Sequence, residues 1–194
     1  MQASLPGRRS ILLLPLLLAA CGEEEPKLYA PLRYNYLPPI RLNVASVQIE
    51  ERFIPSGVSP DVSQLDPVRP VDALRAMVQD RLQAFGTSGR AVFAIQDASL
   101  TRKDDVISGR MDVILSIYAP DDTRAGYAEA RVTRSHTGHI DDLRDTLYDM
   151  TKAMMDAMNI EFEYQIRRNL GGWLATTTST PAPVQQAPLD TAPN

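Results

Sequence analysis

The sequence has few of the residues on which small metal-binding and disulfide-bonded proteins depend. Its 194 residues contain one cysteine, two histidines and one tryptophan. A single cysteine excludes an internal disulfide and a zinc site built from several thiolates. The formal net charge is −4, so the chain lacks the excess of Lys and Arg with which proteins bind nucleic-acid phosphates. No P-loop, GxGxxG, CxxC or EF-hand pattern occurs, and we expect no cofactor and no nucleic-acid partner.

The N-terminus, in contrast, carries an export signal. Arg8 and Arg9 precede the apolar run ILLLPLLLAA at residues 11–20. The run is too short to span about 30 Å of hydrocarbon, whereas a positive region followed by such a run is typical of a secretory signal peptide. We therefore predict a signal peptide over residues 1–20 and a mature chain that does not span the membrane. The arginine pair leaves twin-arginine export of the folded protein open as an alternative to ordinary export.

The end of the apolar run, Leu18-Ala19-Ala20-Cys21, resembles the lipobox of bacterial lipoproteins, in which a leucine and two small residues precede an obligatory cysteine. The resemblance implies cleavage between Ala20 and Cys21, a diacylglyceryl thioether on Cys21 and acylation of its new amino group, with palmitate as a typical chain. The alternative is an ordinary cysteine beside a conventional cleavage site. Several acyl chains would anchor the protein stably, since each buried CH₂ contributes about 0.8 kcal/mol. We expect attachment at the bacterial envelope on the periplasmic side, and Gly22 favours the outer membrane over the inner.

Composition divides the mature chain into a tether, a domain and a tail. Residues 21–39, with Cys21 as their first residue, contain four prolines and no helical or strand periodicity, which predicts a flexible tether. Its tyrosines, Tyr29, Tyr34 and Tyr36, are either ordinary linker residues or contacts for lipid headgroups. Residues 175–194 are rich in Thr and Pro and are predicted to be disordered. Residues 40–174 are long enough for a single two-layer domain.

Alternating apolar residues predict four strands within this domain. The first begins at Ile40 and has a bulge near Val44, where the alternation slips by one residue. Three more alternating stretches begin at Arg90, Ile107 and Ala128, separated by polar turns that are typical of hairpins. The sheet is therefore predicted to be antiparallel.

Helical spacing of apolar residues predicts two helices. One begins at Pro70 and ends near Phe85, with Gly86 as a C-terminal glycine cap. The other runs over about 28 residues, from Leu143 to Leu170. The domain is thus predicted as an α+β fold in the order β-α-β-β-β-α, with about four antiparallel strands and two helices packed on one face of the sheet.

Four of the seven methionines lie on the second predicted helix. Met150, Met154 and Met158 fall on its apolar stripe and are expected to fill the core. Met155 lies about 100° around the helix from Met154 and is predicted to be an exposed contact for a partner. Trp173 follows a glycine pair after this helix, and it either caps the helix or anchors a partner.

Both histidines lie in the segment SHTGH. His136 and His139 could share a metal with Asp141 or Asp142, but a catalytic zinc needs three protein ligands at defined spacing, so we expect solvated histidines and no metal site. Ser135 with His136 and Asp141 also provides the residue types of a hydrolase. No G-x-S-x-G turn accompanies them, and we expect no enzyme.

The predicted order of segments is similar to that of small periplasmic lipoproteins of proteobacteria. It begins with the lipobox and a proline-containing tether and continues with a strand after Leu37-Pro38-Pro39, a helix, three strands and a long final helix. It resembles the ABC-type transport auxiliary lipoproteins of the PqiC type, and the ending RRNLGGWL is similar to uncharacterised alphaproteobacterial lipoproteins. The resemblance implies a non-enzymatic accessory or docking subunit of an envelope complex, with an envelope protein as partner and lipid transport as the process. The alternatives are a module that binds lipid or a small ligand between helix and sheet and, third, an anchored hydrolase.

Overall fold

The computed structural model describes residues 27–175. The predicted signal peptide, Ala20, Cys21 and the tail from residue 176 onward lie outside the described residues. Within the described part the chain forms an α+β domain with the following elements: β1 Ile40–Leu42, β2 Ser46–Glu51, α1 Pro70–Arg81, β3 Leu82–Ala84, β4 Arg90–Lys103, β5 Val106–Tyr118, β6 Arg124–Thr137 and α2 Leu143–Asn169. Short 3-10 helices lie at Ser63–Leu65 and Gly171–Trp173.

A four-stranded sheet in the order β2-β4-β5-β6 forms the body of the fold, and both helices pack on one of its faces. The predicted α+β class is confirmed. The sheet is mixed, however, because β2 and β4 pair in parallel, whereas β4-β5 and β5-β6 are antiparallel as predicted. The parallel pair follows from α1, which lies between β2 and β4 in the sequence and returns the chain to the same end of the sheet.

The predicted first strand is two strands that belong to different sheets. Residues 43–45 separate β1 from β2, and β1 pairs in parallel with β3 in a small second sheet. Leu42 of β1 also forms an antiparallel bridge with Leu174. The slip in alternation at Val44 therefore marks a break between strands, not a bulge.

The helix predicted from Pro70 to Phe85 ends at Arg81, because the next three residues form β3 beside β1. Gly86 is consequently not a helix cap. Its N–H donates to the carbonyl oxygen of Val44 at 2.9 Å, and a Cβ on Gly86 would lie 2.6 Å from the carbonyl carbon of Asn43. Glycine at this position lets two backbone segments approach each other closely.

Helix α2 packs on the sheet through its predicted apolar stripe. The buried residues of this stripe are Leu147, Met150, Met154, Met158, Phe162 and Ile166. The rings of Phe93 and Phe162 meet edge to face, with centroids 5.4 Å apart. A Cβ on Gly109 would lie 2.5 Å from Sδ of Met154, and one on Gly126 would lie 2.9 Å from Cδ2 of Leu170. The helix and the sheet are therefore in close contact at the middle of α2 and at its C-terminal end, which argues against a ligand lying between them at these two places.

None of the helices within residues 27–175 is both long enough and apolar enough to cross a bilayer.

Candidate functional site

The N-terminal segment, residues 27–39, lies along the helices. Nζ of Lys27 lies 2.5 Å from Oδ2 of Asp145, and the hydroxyl of Tyr29 donates to the other carboxylate oxygen at 2.6 Å. The hydroxyl of Tyr148 donates to the carbonyl oxygen of Ala30 at 3.0 Å. Hydrogen bonding to the carboxylate raises the pKa of Tyr29 to about 12 and lowers that of Asp145. The described chain therefore begins against the first turn of α2.

The middle of the same segment is held by α1. The Arg33 guanidinium pairs with Asp80, and the backbone N–H of Tyr34 donates to Oδ2 of Asp80 at 2.7 Å. The hydrogen bond from Arg33 lowers the pKa of the Asp80 carboxyl. The Tyr34 side chain is 3% exposed, and its burial raises the pKa of the phenol. Contacts with the helices therefore begin at Lys27 and burial begins at Tyr34, so the described part of the predicted tether, residues 27–39, is bound to the domain.

Arg81 joins this segment to both helices. Its side chain is 2% exposed, and it pairs with Glu163 of α2 while donating to Oδ1 of Asn159 at 3.1 Å and to the carbonyl oxygen of Pro38 at 3.2 Å. Burial opposes ionisation of Glu163, but the hydrogen bonds from Arg81 and Arg167 outweigh it and lower the pKa. The sequence contains a signal for this residue, since Arg81 lies three positions after Val78 on the apolar face of α1.

Met155 is fully buried, so the prediction that it is exposed is wrong. The reason is a second buried stripe on α2, formed by Thr151, Met155 and Asn159 at intervals of four residues. Thr151 contacts Asp66 in the loop before α1, and Asn159 contacts Arg81 at the end of α1. Helix α2 is thus covered on two sides, by the sheet and by α1 with its preceding loop, and Met155 lies on the second of these.

The exposed apolar residues of this region lie elsewhere on α2 and on the N-terminal segment. Ile160 is 75% exposed and Tyr164, one turn later, is 53% exposed, while Tyr36 is 70% exposed. Tyr36, Leu37 and Ile160 line a shallow depression of about 270 Å³ above Arg81. We refer to Tyr36, Ile160 and Tyr164 as the α2 patch. Sequence reasoning missed it because Ile160 lies off the apolar stripe of α2 and carried no other signal.

A second depression lies at the C-terminal end of α2. It has a volume of about 350 Å³ and lies between residues 38–41, the side chains of Ile166 and Arg167, and Leu174. Trp173 lies beside it, partly buried against the core, and its carbonyl oxygen accepts a hydrogen bond from the N–H of Asn43 at 2.7 Å. Ala175 is the first residue of the predicted tail. Its N–H donates to the backbone carbonyl oxygen of Arg41 at 2.9 Å.

The two histidines line one open depression of about 430 Å³ between the end of β6 and the start of α2, together with Ser135, Asp141 and Asp142. Ser135 and His136 are consecutive on β6, opposite Ser108 and Ile107, and therefore point to opposite faces of the sheet. Nε2 of His139 lies 3.2 Å from Asp141 in a pair that is almost fully exposed. Among residues 27–175, no group of three or more His, Cys, Asp and Glu side chains is arranged to hold a metal ion.

Known proteins offer only distant similarity. No family model matches the chain, and no curated protein matches it. Among solved structures, lipoprotein GNA1162 from Neisseria meningitidis is similar at 8% identity and a TM-score of 0.28, over 58% of this chain and 99% of that one. A minor lipoprotein from Acinetobacter baumannii is similar at 12% identity and a TM-score of 0.29, over 70% of this chain and 98% of that one. Scores this low carry no inference about this chain.

Proposed function

We propose that the protein is a lipid-anchored lipoprotein of the bacterial envelope that faces the periplasm and serves as a non-enzymatic accessory or docking subunit of an envelope complex, in lipid transport. The observation that carries this proposal is the sequence Leu18-Ala19-Ala20-Cys21 at the end of an apolar run, in a chain with a single cysteine. Acyl chains on Cys21 would hold the mature chain on the bilayer without a membrane-spanning helix. Gly22 supports the outer membrane as the site of attachment.

The α2 patch supports a docking role. Tyr36, Ile160 and Tyr164 hold large apolar side chains in water, although each could have been polar without loss of core packing. Exposed apolar groups that lie together favour contact with another protein, and tyrosine is among the residues that contribute most to such contacts. The proposed partner is an envelope protein with a complementary apolar surface. The patch takes the place of Met155 as the candidate contact.

Site-specific crosslinking in intact cells tests the docking role. A photo-crosslinking residue at position 160 of the full chain is expected to give one discrete protein adduct in the membrane fraction. The matched control is position 152, where Lys152 is exposed on the same helix about two turns earlier. Adducts that are the same from both positions, or no adduct from position 160, would contradict docking through this patch.

A second candidate function, binding of a lipid or small ligand, is favoured by the depression of about 350 Å³ at the end of α2. Its volume lies within the usual range for ligand pockets, and it combines the apolar Ile40, Ile166 and Leu174 with the charged Arg41, Arg167 and Glu163. Mass spectrometry of the Cys21→Ser chain, purified without its own acyl groups, separates the candidates. Phospholipid bound at about one per chain would favour ligand binding, and its absence together with a position-160 adduct would favour docking.

A further inference from the structure

We infer that the end of the domain where α2 begins faces the membrane at short range, and that the α2 patch is presented away from the bilayer. The inference rests on the proposed function, because it takes acylated Cys21 as the point of attachment. The surface that it identifies lies around residues 139–149, and this surface faces the headgroup layer of a lipid bilayer across the short linker without lying against it.

The first step is the length of chain between the anchor and the domain. Lys27 and Tyr29 are bound to Asp145 in the first turn of α2, so only residues 22–26 separate Cys21 from the docked part of the chain. Fully extended, that interval covers about 20 Å. A free tether over residues 21–39 would instead reach about 60 Å and leave the domain without a preferred orientation.

The second step is the direction in which the N-terminal segment runs. Lys27 contacts Asp145, Ala30 contacts Tyr148, and the carbonyl of Pro38 lies on Arg81, which pairs with Glu163. The segment therefore follows α2 from its first turn toward its last. Because α2 has 27 residues and is about 40 Å long, its far end lies well beyond the reach of the anchor. Ile160 lies about 22 Å along the helix from Asp145.

The third step is charge. The membrane-facing end carries the exposed acids Asp141, Asp142 and Asp149, which the exposed Arg134 and Arg144 offset only in part. Glu23-Glu24-Glu25 in the short linker add three negative charges. An anionic leaflet repels such a surface. The domain is therefore expected to stand off the headgroups at about the length of the linker, with α2 directed away from the membrane, and not to lie flat along the bilayer.

Energy transfer to labelled lipid headgroups tests this orientation. The acylated full chain is reconstituted in vesicles of phosphatidylethanolamine and phosphatidylglycerol that carry a headgroup acceptor. Because acylated Cys21 has no free thiol, a donor dye can be placed on one new cysteine, either His139→Cys or Gly172→Cys. His139 is 88% exposed, and a Cβ on Gly172 meets no atom within 4 Å, so neither change disturbs packing. We expect donor quenching at position 139 to exceed that at position 172 by about twofold or more, given a separation near the length of α2.

Insertion of about 20 Gly and Ser residues after Gly22 is expected to lower quenching at position 139 toward that at position 172, because the linker then no longer limits reach. The same insertion after Thr180 serves as the control and is expected to change neither value. Equal quenching at positions 139 and 172 in an acylated chain, or an insertion after Gly22 without effect, would overturn the orientation alone. A purified chain without acyl groups would contradict the proposed function itself, and the orientation with it.

Discussion

The hydroxyl of Thr151 donates a hydrogen bond to Oδ2 of Asp66 at 2.5 Å, where the loop between β2 and α1 meets α2. Asp66 is 4% exposed and Thr151 is fully buried. The second carboxylate oxygen accepts a hydrogen bond from the N–H of Val68 at 3.0 Å. Burial raises the pKa of Asp66 to about 6, although both hydrogen bonds favour the ionised form. A loop rich in proline is thus fastened to the central helix by a buried acid.

This contact is expected to make stability depend on pH. The pKa of an unperturbed Asp is 3.8, so between about pH 4 and pH 6 the folded chain binds the Asp66 proton more tightly than the unfolded chain does. The contribution of Asp66 to the free energy of unfolding therefore falls as pH rises through this interval and is lowest above pH 6. Thermal melts of the wild type and Asp66→Asn should show a Tm difference, wild type minus variant, that decreases from pH 4 to pH 7. A constant difference would show that Asp66 titrates normally.

Gly86→Ala is expected to destabilise the domain by about 1 to 3 kcal/mol, the usual range for a forced close contact in a packed region. The added Cβ would lie 2.6 Å from the backbone of Asn43 and 2.7 Å from the nitrogen of Val44, and backbone cannot move aside as a flexible side chain can. Gly171→Ala is the matched control, because nothing lies within 4 Å of its Cβ position. Urea unfolding of the two variants should therefore differ, and equal midpoints would contradict the close approach of these segments.

Arg81→Ala is expected to cost about 3 kcal/mol, because it leaves Oδ1 of Asn159 and the carbonyl oxygen of Pro38 without their donor, while Glu163 keeps its pair with Arg167. Arg81→Met, which retains much of the side-chain volume, should cost less. Both free energies are measured by urea unfolding. If both variants unfold at the same urea concentration as the wild type, the buried guanidinium contributes nothing to the free energy of unfolding.

Met155→Asp is expected to unfold the domain much as Met154→Asp does, since both methionines are fully or almost fully buried and an unpaired carboxylate in the core costs several kcal/mol. Ile160→Asp, at a position that is 75% exposed, should leave the chain folded and abolish partner capture. Circular dichroism separates loss of fold from loss of binding. A folded Met155→Asp variant would contradict the second buried stripe of α2.

Residue periodicity was sufficient to predict the elements that are buried against a single neighbouring layer. The stripe from Leu147 to Ile166 faces the sheet alone, and the alternating burial at the start of β5 reflects a sheet with helices on one face. Burial does not alternate at residues 91–95 of the inner strand β4, which are all buried. The parallel pairing of β2 with β4 could not be read from alternation, because it depends on where α1 returns the chain. The break between β1 and β2 was visible only as a slip at Val44, which a bulge explains equally well.

Burial that depends on how two elements pack against each other could not be predicted from the sequence. Met155 is covered by α1 and its loop, which depends on how the two helices pack and not on the spacing of either one. β3 continues α1 without a break, and its three residues fit the helical stripe as well as they fit a strand. Residues 27–39 have little periodicity of their own, and they are held by side-chain contacts with Asp80 and Asp145 that no local pattern indicates.

The intact mass of the mature chain, purified from membranes in detergent, tests attachment through Cys21 most directly. We expect a chain that begins at Cys21 and is heavier than its polypeptide by a diacylglyceryl group, with or without a third acyl chain. The Cys21→Ser variant should remain an unprocessed precursor without added lipid, because the thioether needs the sulfur nucleophile. An unmodified wild-type chain, or a Cys21→Ser chain that is still cut after Ala20 and stays with membranes after a high-salt wash, would contradict a lipid anchor at Cys21.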